Sequence, residues 1–419
     1  MHDETRTAPP SPALLDRSDT RVRHTAGLSG TVAAFVERVR SGDLGSLPVI
    51  VGLIVIWTVF TSLNPVFLLA DNLVNLLFDC STVGVIALGI VCVLMVGQID
   101  LSVGSMSGFA SALVGVFWVN EGWPVPAAIV VAVAVGALVG ALYALLLNRL
   151  GMPSFVSTLA GLLAILGMQL YALGASGSIN LPYGSTMVNF GQLLVIPAVI
   201  SHLLALVPGA VILFVGLRTG RRRRAARLSA PAMGGLVARS VAVTVLLEAV
   251  VAYLNQGRGV PLMFGVFLGL AVAMDYALTR TRWGRSMQAV GGNHEAARRA
   301  GIDVGFIYAS AFVLCASLAA LGGVLTASRL ASASQQAGTG DVNLNAIAAA
   351  VIGGTSLFGG RGSAYSAVLG IIVIQSIASG LTLLNLSSSL RFMITGAVLA
   401  IAVIVDSLAR QSRVSHGRA

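Results

Sequence analysis

Long apolar runs are the feature of this sequence that most limits its fold. Twelve runs of 15 to 25 residues follow one another from Leu47 onward. A helix needs about 20 residues to cross the hydrocarbon core of a bilayer, so the sequence predicts an all-α, polytopic membrane protein with about twelve transmembrane helices. The predicted spans are 47–63, 76–96, 103–119, 124–147, 154–174, 193–217, 236–254, 260–278, 306–327, 344–358, 364–384 and 390–406. Because 103–119 and 344–358 are short and interrupted by glycine, the count lies between ten and twelve.

The scarcity of charge excludes an ordinary water-soluble enzyme. Only 10% of the 419 residues are charged, whereas soluble domains carry about 25%. All 26 basic side chains are arginine, so the chain lacks the lysine of a Walker A phosphate loop and the lysine of Schiff-base catalysis. If ATP drives this protein, another subunit must hydrolyse it. We expect no catalytic residues, no cofactor and no metal site.

The arginines also predict the orientation of the chain. With alternating spans and a cytoplasmic N-terminus, 23 of the 26 arginines fall inside and only Arg258, Arg329 and Arg391 fall outside, as the positive-inside rule requires. Both termini are therefore predicted to be cytoplasmic. This pattern explains the net charge of +10 without a nucleic-acid partner.

The domain organisation follows from the same runs. Residues 1–46 are predicted to form a cytoplasmic tail that contains a short amphipathic helix at the membrane surface. Residues 47–406 form the transmembrane domain, and 407–419 form a cytoplasmic tail. The basic run 218–227 (RTGRRRRAAR) has two interpretations, an orientation signal in a solvated loop or a contact with anionic membrane lipid.

The longest polar stretch between two spans is 279–304, on the predicted cytoplasmic side. Gly291 and Gly292 are expected to break the chain, Asn293 to cap a following helix and Gly301 to end it. The residues between them, EAARRA at 295–300, are good helix formers. The sequence therefore predicts a short helix outside the membrane with small faces that a partner protein can approach.

Two apolar runs contain polar or glycine breaks at membrane depth. The first has Gln98, Asp100 and Ser102, and the second has Asn345 followed by Gly353, Gly354 and Ser356. Polar groups inside membrane segments usually face a bundle interior or a water-filled cavity, and paired glycine-broken segments indicate a transport pathway. Carboxylate, amide and hydroxyl groups suit a neutral polyol. The alternative is that the glycines only allow close helix packing.

Three stretches in this order resemble one family. EAA followed by three residues and Gly301 is similar to the coupling signature of ABC-importer permeases. GQIDLSVGSMSG (97–108) and NAIAAAVIGGTSLFGGRGS (345–363) resemble patterns of sugar permeases of the ribose, arabinose and xylose branch. The two added spans around the arginine run are most similar to the xylose permeases. Gln98 departs from the family's glycine, and the I-x-L-P element of other importers is absent after Gly301.

The resemblance implies a function, partners and a set of coupling residues. It implies a permease subunit in the bacterial inner membrane that works as a homodimer and transports a monosaccharide such as xylose. A separate ATP-binding subunit and an extracytoplasmic sugar-binding protein would be its partners. The residues that would contact the ATP-binding subunit are Gly291, Gly292, Asn293, Glu295, Ala296, Ala297 and Gly301. The alternative hypothesis is a proton-coupled secondary transporter that acts alone, with Glu248 or Asp100 as the titrating group.

Overall fold

The computed structural model describes residues 47–226, 228, 233–387, 389–390, 392–397, 400 and 404. The predicted tails 1–46 and 407–419, the amphipathic helix, and part of the predicted span 390–406 lie outside these residues. The helices are α1 Leu47–Leu63, α2 Ala70–Met95, α3 Val103–Val114, α4 Val125–Leu150, α5 Ser154–Leu173, α6 Thr186–Gln192, α7 Ala198–Ala225, α8 Met233–Leu254, α9 Leu262–Arg280, α10 Arg282–Gly292, α11 His294–Arg299, α12 Val304–Leu330, α13 Val342–Ile352 and α14 Ala364–Leu383.

Two short strands and three irregular helical turns complete the described secondary structure. Strand β1 (Ser178–Asn180) pairs antiparallel with β2 (Ser332–Ser334), a pairing that the sequence did not predict. A π-helical turn, Gly115–Asn120, continues α3, and 3-10 turns occupy Pro65–Leu68 and Gly174–Ser176. The all-α prediction is otherwise confirmed.

Within the described residues, nine helices are long and apolar enough to cross a membrane. They are α2, α3 with its π-helical continuation, α4, α5, α7, α8, α9, α12 and α14. Helix α1 has 17 residues. The predicted span 344–358 is wrong as one continuous helix, because α13 ends at Ile352 and its 11 residues extend only about 16 Å. The total of ten to twelve crossings stays a prediction.

The described residues divide into two compact units, one within 45–196 and 260–411 and the other within 197–259. In the larger unit α2 is the central helix, and every residue from Cys80 to Met95 is buried. Helix α12 packs against α2, α3 and α4. Cys80, Cys92 and Cys315 are buried and form no disulfide, so they are small residues of the core.

Helices α4 and α12 approach closely because small residues line their contact. Ala128, Ala132, Gly136, Gly140 and Ala144 repeat every four residues on α4 and are all buried. A Cβ atom at Gly140 would overlap the carbonyl oxygen of Phe312, and one at Gly136 would approach that of Ala316. Since apolar burial between helices gives little advantage inside lipid, such close backbone packing is what holds membrane helices together.

The second unit contains the helical hairpin of α7 and α8. Ser240 Oγ donates a hydrogen bond to the Gly209 carbonyl oxygen over 2.8 Å, one residue after Pro208, which lies inside α7. Helix α7 continues through Arg218 and Arg221 to Ala225. The interpretation of this basic run as a loop is therefore wrong up to Ala225: the apolar run stops at the arginines, but arginine is a good helix former and the helix continues past the apolar stretch.

Candidate functional site

The first functional candidate is the non-helical segment 97–102 between α2 and α3. Gly97 has φ +73°, a backbone conformation that favours glycine. This residue turns the chain after α2. The Ile99 N–H donates to Ser154 Oγ over 3.4 Å and the Leu101 N–H to Thr158 Oγ1 over 3.2 Å. Irregular backbone at membrane depth needs such partners, so the hydroxyl groups of α5 stabilise this break.

Asp100 lies at the centre of this segment and is 1% exposed. Its Oδ1 accepts hydrogen bonds from Ser102 N (2.8 Å) and Ser102 Oγ (2.7 Å). The Tyr143 hydroxyl of α4 donates to Ser102 Oγ over 2.9 Å, where Gly161 of α5 leaves room for it. Asp100 Oδ2 has no hydrogen-bond partner among the described N–H and O–H groups, and the carboxyl group interacts with the Cys315 thiol. One carboxyl oxygen therefore orders the break, and the other accepts no hydrogen bond from an N–H or O–H group of the described residues.

A second break follows α12 and precedes α13. Gln169 of α5 is fully buried, and its Nε2 donates to the carbonyl oxygens of Ser334 and Ala337, each over 2.9 Å. Asn343 Oδ1 accepts a hydrogen bond from the Gly104 N–H near the start of α3. The two broken segments therefore contact each other, and α5 holds both.

The glycine-rich turn after α13 lies farther along the chain. Gly354, Gly359 and Gly360 have φ of +106°, +85° and +75°, so glycine is favoured at each of them. The Ser356 N–H donates to the Arg361 carbonyl oxygen over 3.0 Å. Ser363 caps α14, because its Oγ accepts a hydrogen bond from the Tyr365 N–H.

The predicted pathway residues occupy three places. Asp100 and Ser102 are bonded to each other, and Gln98, at the same break, contacts Tyr308 of α12. Asn345 is buried in the first turns of α13, where its Nδ2 donates to Asp341 Oδ2 over 2.9 Å. Gly353, Gly354 and Ser356 follow the other end of α13. That these residues line a transport pathway stays a prediction.

The coupling segment consists of α10 and α11. The prediction that Gly291 and Gly292 break the chain is wrong, because both lie in the last turn of α10 and the turn comes at Asn293. The Asn293 cap is confirmed, since its Oδ1 accepts from Ala296 N over 2.9 Å. Glycine pairs lower helix propensity, but tertiary packing outweighs that loss here.

The short helix α11 presents one face to its own chain and the other to solvent. Glu295 pairs with Arg299 (3.3 Å) and Arg298 (3.6 Å) on its exposed side. Ala296 is exposed and Ala297 is buried. Gly301 has φ +81° and ends the turn, as predicted.

Gly291 connects the coupling segment to the start of the first break and to the glycine-rich turn after α13. A Cβ atom there would overlap the Met95 carbonyl oxygen and crowd Gly360 N. The Gly360 N–H itself donates to the Met95 carbonyl oxygen over 2.9 Å, and Gly359 lies against Gly97. The end of α10, the end of α2 and the glycine-rich turn therefore meet backbone to backbone, without side chains between them.

Several well-placed side chains were not selected from the sequence. Tyr143, Ser154, Thr158 and Gln169 each hold one of the breaks, but each is a single polar residue in an apolar run. An ion pair between Arg329 of α12 and Asp79 of α2 (2.8 Å) was also missed. A polar residue within an apolar run was the only available signal for each, and such a residue does not identify its partner.

Glu248 belongs to α8, in the second unit. It contacts His202 Nδ1 across the α7–α8 hairpin, at 2.6 Å, and Asn255 contacts the other ring nitrogen at 3.3 Å. This pairing favours the structural interpretation of Glu248. Among the described residues no group of three His, Cys, Asp or Glu side chains could hold a metal ion.

Comparisons with known proteins agree on one family. The family model described as branched-chain amino acid transport system / permease component matches residues 72–403. The xylose transport system permease protein XylH of Escherichia coli K12 is 34% identical over 375 residues, 89% of this chain and 94% of the relative. XylH of Haemophilus influenzae is 32% identical, over 88% and 98% of the two chains.

A more distant relative belongs to ribose transport. The ribose import permease protein RbsC of E. coli K12 is 28% identical over 364 residues, 85% of this chain and 92% of the relative. No solved structure matches the chain significantly. The family match covers most of the chain and includes both breaks and the coupling segment, and nine described helices are apolar enough to cross a membrane. The chain is therefore a multi-pass membrane protein that belongs to the permease-component family of binding-protein-dependent transport systems of the branched-chain amino acid type.

Proposed function

We propose that this chain is the membrane subunit of an ABC importer that moves a monosaccharide, with xylose or a similar pentose as the first candidate. A separate ATP-binding subunit hydrolyses ATP, because the chain has no lysine for a nucleotide loop. An extracytoplasmic binding protein delivers the sugar. The similarity to the xylose and ribose permeases supports this assignment.

One observation carries the proposal, the contact of Gly291 with the backbones of Met95 and Gly360. Met95 ends α2 directly before the first break, and Gly360 belongs to the glycine-rich turn after α13. A movement of α10 and α11 therefore reaches the first break and this turn through backbone contacts that no flexible side chain can absorb. This arrangement suits a protein whose transport cycle is driven from outside its own membrane domain.

The exposed side of α11 is the surface that we assign to the ATP-binding subunit. Glu295, Ala296, Arg298 and Arg299 are exposed there, whereas Ala297 anchors the helix to its own chain. Asn293 and Gly301 define where the helix begins and ends. In this assignment the end of the bundle that carries α10 and α11 is cytoplasmic.

The test is sugar uptake into vesicles that contain the chain with and without its ATP-binding subunit. The vesicles are right-side-out, with ATP inside and the binding protein outside. Uptake that needs both supports the importer. Uptake by the chain alone, driven by a pH gradient, contradicts the proposal and supports the proton-coupled transporter instead.

Two neighbouring glycines give a matched prediction. Gly291→Ala should reduce uptake per ATP hydrolysed by about five- to 150-fold, the range of a coupling energy of roughly 1–3 kcal/mol, because its Cβ atom separates α10 from Met95. Gly292→Ala should behave as the unmodified chain, since the space around its Cβ position is open. Both replacements raise helix propensity equally. Equal uptake-to-hydrolysis ratios in the two variants would contradict a role for the Gly291 contact.

We also propose a homodimer and a lipid contact. One chain offers one coupling segment, so two copies would engage a pair of nucleotide-binding domains.

The described residues of 197–259 carry seven arginines and one carboxylate, Glu248, and that carboxylate pairs with His202. Four consecutive arginines, Arg221 to Arg224, lie at the end of α7, and such a basic cluster suits the phosphate groups of anionic lipids.

Lipid binding at α7 can be measured directly. Arg221, Arg222 and Arg224 are exposed at the helix end, and each arginine near an anionic surface contributes about 1 kcal/mol. Replacing these three by glutamine should reduce the phosphatidylglycerol that copurifies with the protein, and added salt should reduce it further. Arg258→Gln, on the loop that follows α8, is the control. Unchanged phosphatidylglycerol in the triple variant would show that this cluster only sets the orientation.

A further inference from the structure

A second polar surface lies at the end of the larger unit opposite the coupling segment. On α2 it comprises Asn72, Asn75 and Asp79, which repeat every three to four residues and so share one face of the helix. On α14 it comprises Gln375 and Ser379 in the same spacing, and Arg329 adds the end of α12. We call these six residues the outer polar stripe.

Hydrogen bonds join the residues of the stripe in two groups, one around Asp79 and one between Ser379 and Asn72. Arg329 Nε donates to Asp79 Oδ1 over 2.8 Å, and its guanidinium lies 5.1 Å from the centre of the Phe78 ring. Gln375 Nε2 donates to the Asp79 carbonyl oxygen over 3.3 Å. Ser379 Oγ donates to Asn72 Oδ1, also over 3.3 Å. Three helices thus present amide, hydroxyl, carboxylate and guanidinium groups to one place.

The stripe extends below the membrane surface. Helix α2 has 26 residues, about 39 Å of helix for a hydrocarbon core of about 30 Å. Asp79 lies nine residues from the start of α2, about 13 Å along its axis, so a helix centred on the core would carry it inside the hydrocarbon. Gln375 lies at a matching depth, eight residues before the end of α14.

Exposure distinguishes this stripe from a buried structural network. The Asp79 side chain is 46% exposed, although the helix that carries it is the most buried in the bundle. Arg329 pairs with one side of the carboxylate, but the exposed side would lie in hydrocarbon at this depth, which is costly unless water or a polar group covers it. The stripe therefore needs water or a polar ligand beside it.

We propose that the outer polar stripe is a binding site for a neutral polyhydroxyl solute as it enters the membrane domain. One carboxylate is balanced by one guanidinium, so the stripe attracts neither anions nor cations strongly. Its amide and hydroxyl groups can exchange hydrogen bonds with several hydroxyl groups of a solute. The proposal rests on the proposed function for the direction of entry, and it adds a site that is separate from the break around Asp100.

Cysteine accessibility in reconstituted vesicles tests the site. Asn75→Cys and Ser379→Cys are exposed to a membrane-impermeant, positively charged methanethiosulfonate reagent, alone and with D-xylose, D-ribose or glycine betaine. Val130→Cys is the matched control, because Asn75 and Val130 each lie five residues into a 26-residue helix and Val130 is 66% exposed on the apolar surface. The buried native cysteines are measured in the unmodified chain as background.

We expect both stripe cysteines to react at least about tenfold faster than Val130→Cys, because a charged reagent is strongly excluded from hydrocarbon. D-Xylose or D-ribose should slow the reaction, and glycine betaine should not. Reaction rates equal to that of Val130→Cys overturn the proposal, as does a disulfide between copies at Asn75→Cys, which would assign the face to a subunit contact. Reaction without protection by either sugar overturns the ligand class.

ATP-driven uptake by the unmodified chain is recorded in the same vesicles. ATP-driven uptake together with unreactive stripe cysteines rejects the binding site and supports the importer. If the unmodified chain shows no ATP-driven uptake but a sugar protects the stripe cysteines, the importer is rejected and the binding site is supported.

Discussion

Replacing Gly140 by leucine is expected to abolish the folded membrane domain. The first carbon of any side chain at this position overlaps the Phe312 carbonyl oxygen, and that atom belongs to the backbone of α12, which cannot rotate away. Helices α4 and α12 must then separate along the whole small-residue stripe. Overpacking alone costs about 1–3 kcal/mol, and the loss of close helix contact adds to that cost.

Size-exclusion chromatography and thermal unfolding in detergent measure this effect. The control is Gly167→Leu on α5, where the space around the Cβ position is open. The control protein should elute and unfold as the unmodified chain does. If Gly140→Leu also unfolds at the original temperature, the α4–α12 contact is not the main packing contact of this domain.

The second large effect is expected at Asp100. Alanine removes the acceptor for two hydrogen bonds from Ser102, and hydrogen bonds to a charged group contribute roughly 1.5–3 kcal/mol each. Asp100→Ala should therefore destabilise the domain by about 3 kcal/mol or more, because the Ser102 N–H is left buried without its partner. Uptake should be lost with it.

Asparagine at the same position separates structure from transport. Asp100→Asn keeps an oxygen where Oδ1 accepts from Ser102, so thermal stability should remain close to that of the unmodified chain. If the second carboxyl oxygen accepts a hydroxyl group of the solute, uptake should still fall by at least about tenfold, the effect of losing roughly 1.4 kcal/mol. Tyr143→Phe, which removes only the hydrogen bond to Ser102 Oγ, is the matched control. Normal uptake by Asp100→Asn would limit Asp100 to a structural role.

Local chemistry was sufficient for much of the fold. The apolar runs predicted membrane helices that agree with α4, α5, α9 and α14 to within a few residues at each end. Asn293 and Ser363 were predictable as caps because a cap bonds to a backbone group two or three residues away. The positive φ of Gly301 follows from its place directly after a helix end.

Predictions failed where distant contacts outweigh local preference. Gly291 and Gly292 remain helical because α10 packs against the end of α2, and glycine is needed there for close approach and not for a break. The arginines after Gly216 extend α7, because a helix need not end where its apolar stretch ends. The span 344–358 was read as one helix, although Gly353 and the positive-φ Gly354 end α13 halfway.

The sequence by itself determined the class of this protein, its membrane helices, the two breaks and the capped coupling segment, because each depends on residues within one or two turns of each other. Only the tertiary structure decided which groups meet: Ser102 with Tyr143, Gln169 with the second break, Asp79 with Arg329, and Gly291 with Met95 and the glycine-rich turn. These contacts join residues up to 250 positions apart. Helix packing chooses such partners through shape and depth in the bundle, and a single sequence does not encode that choice locally.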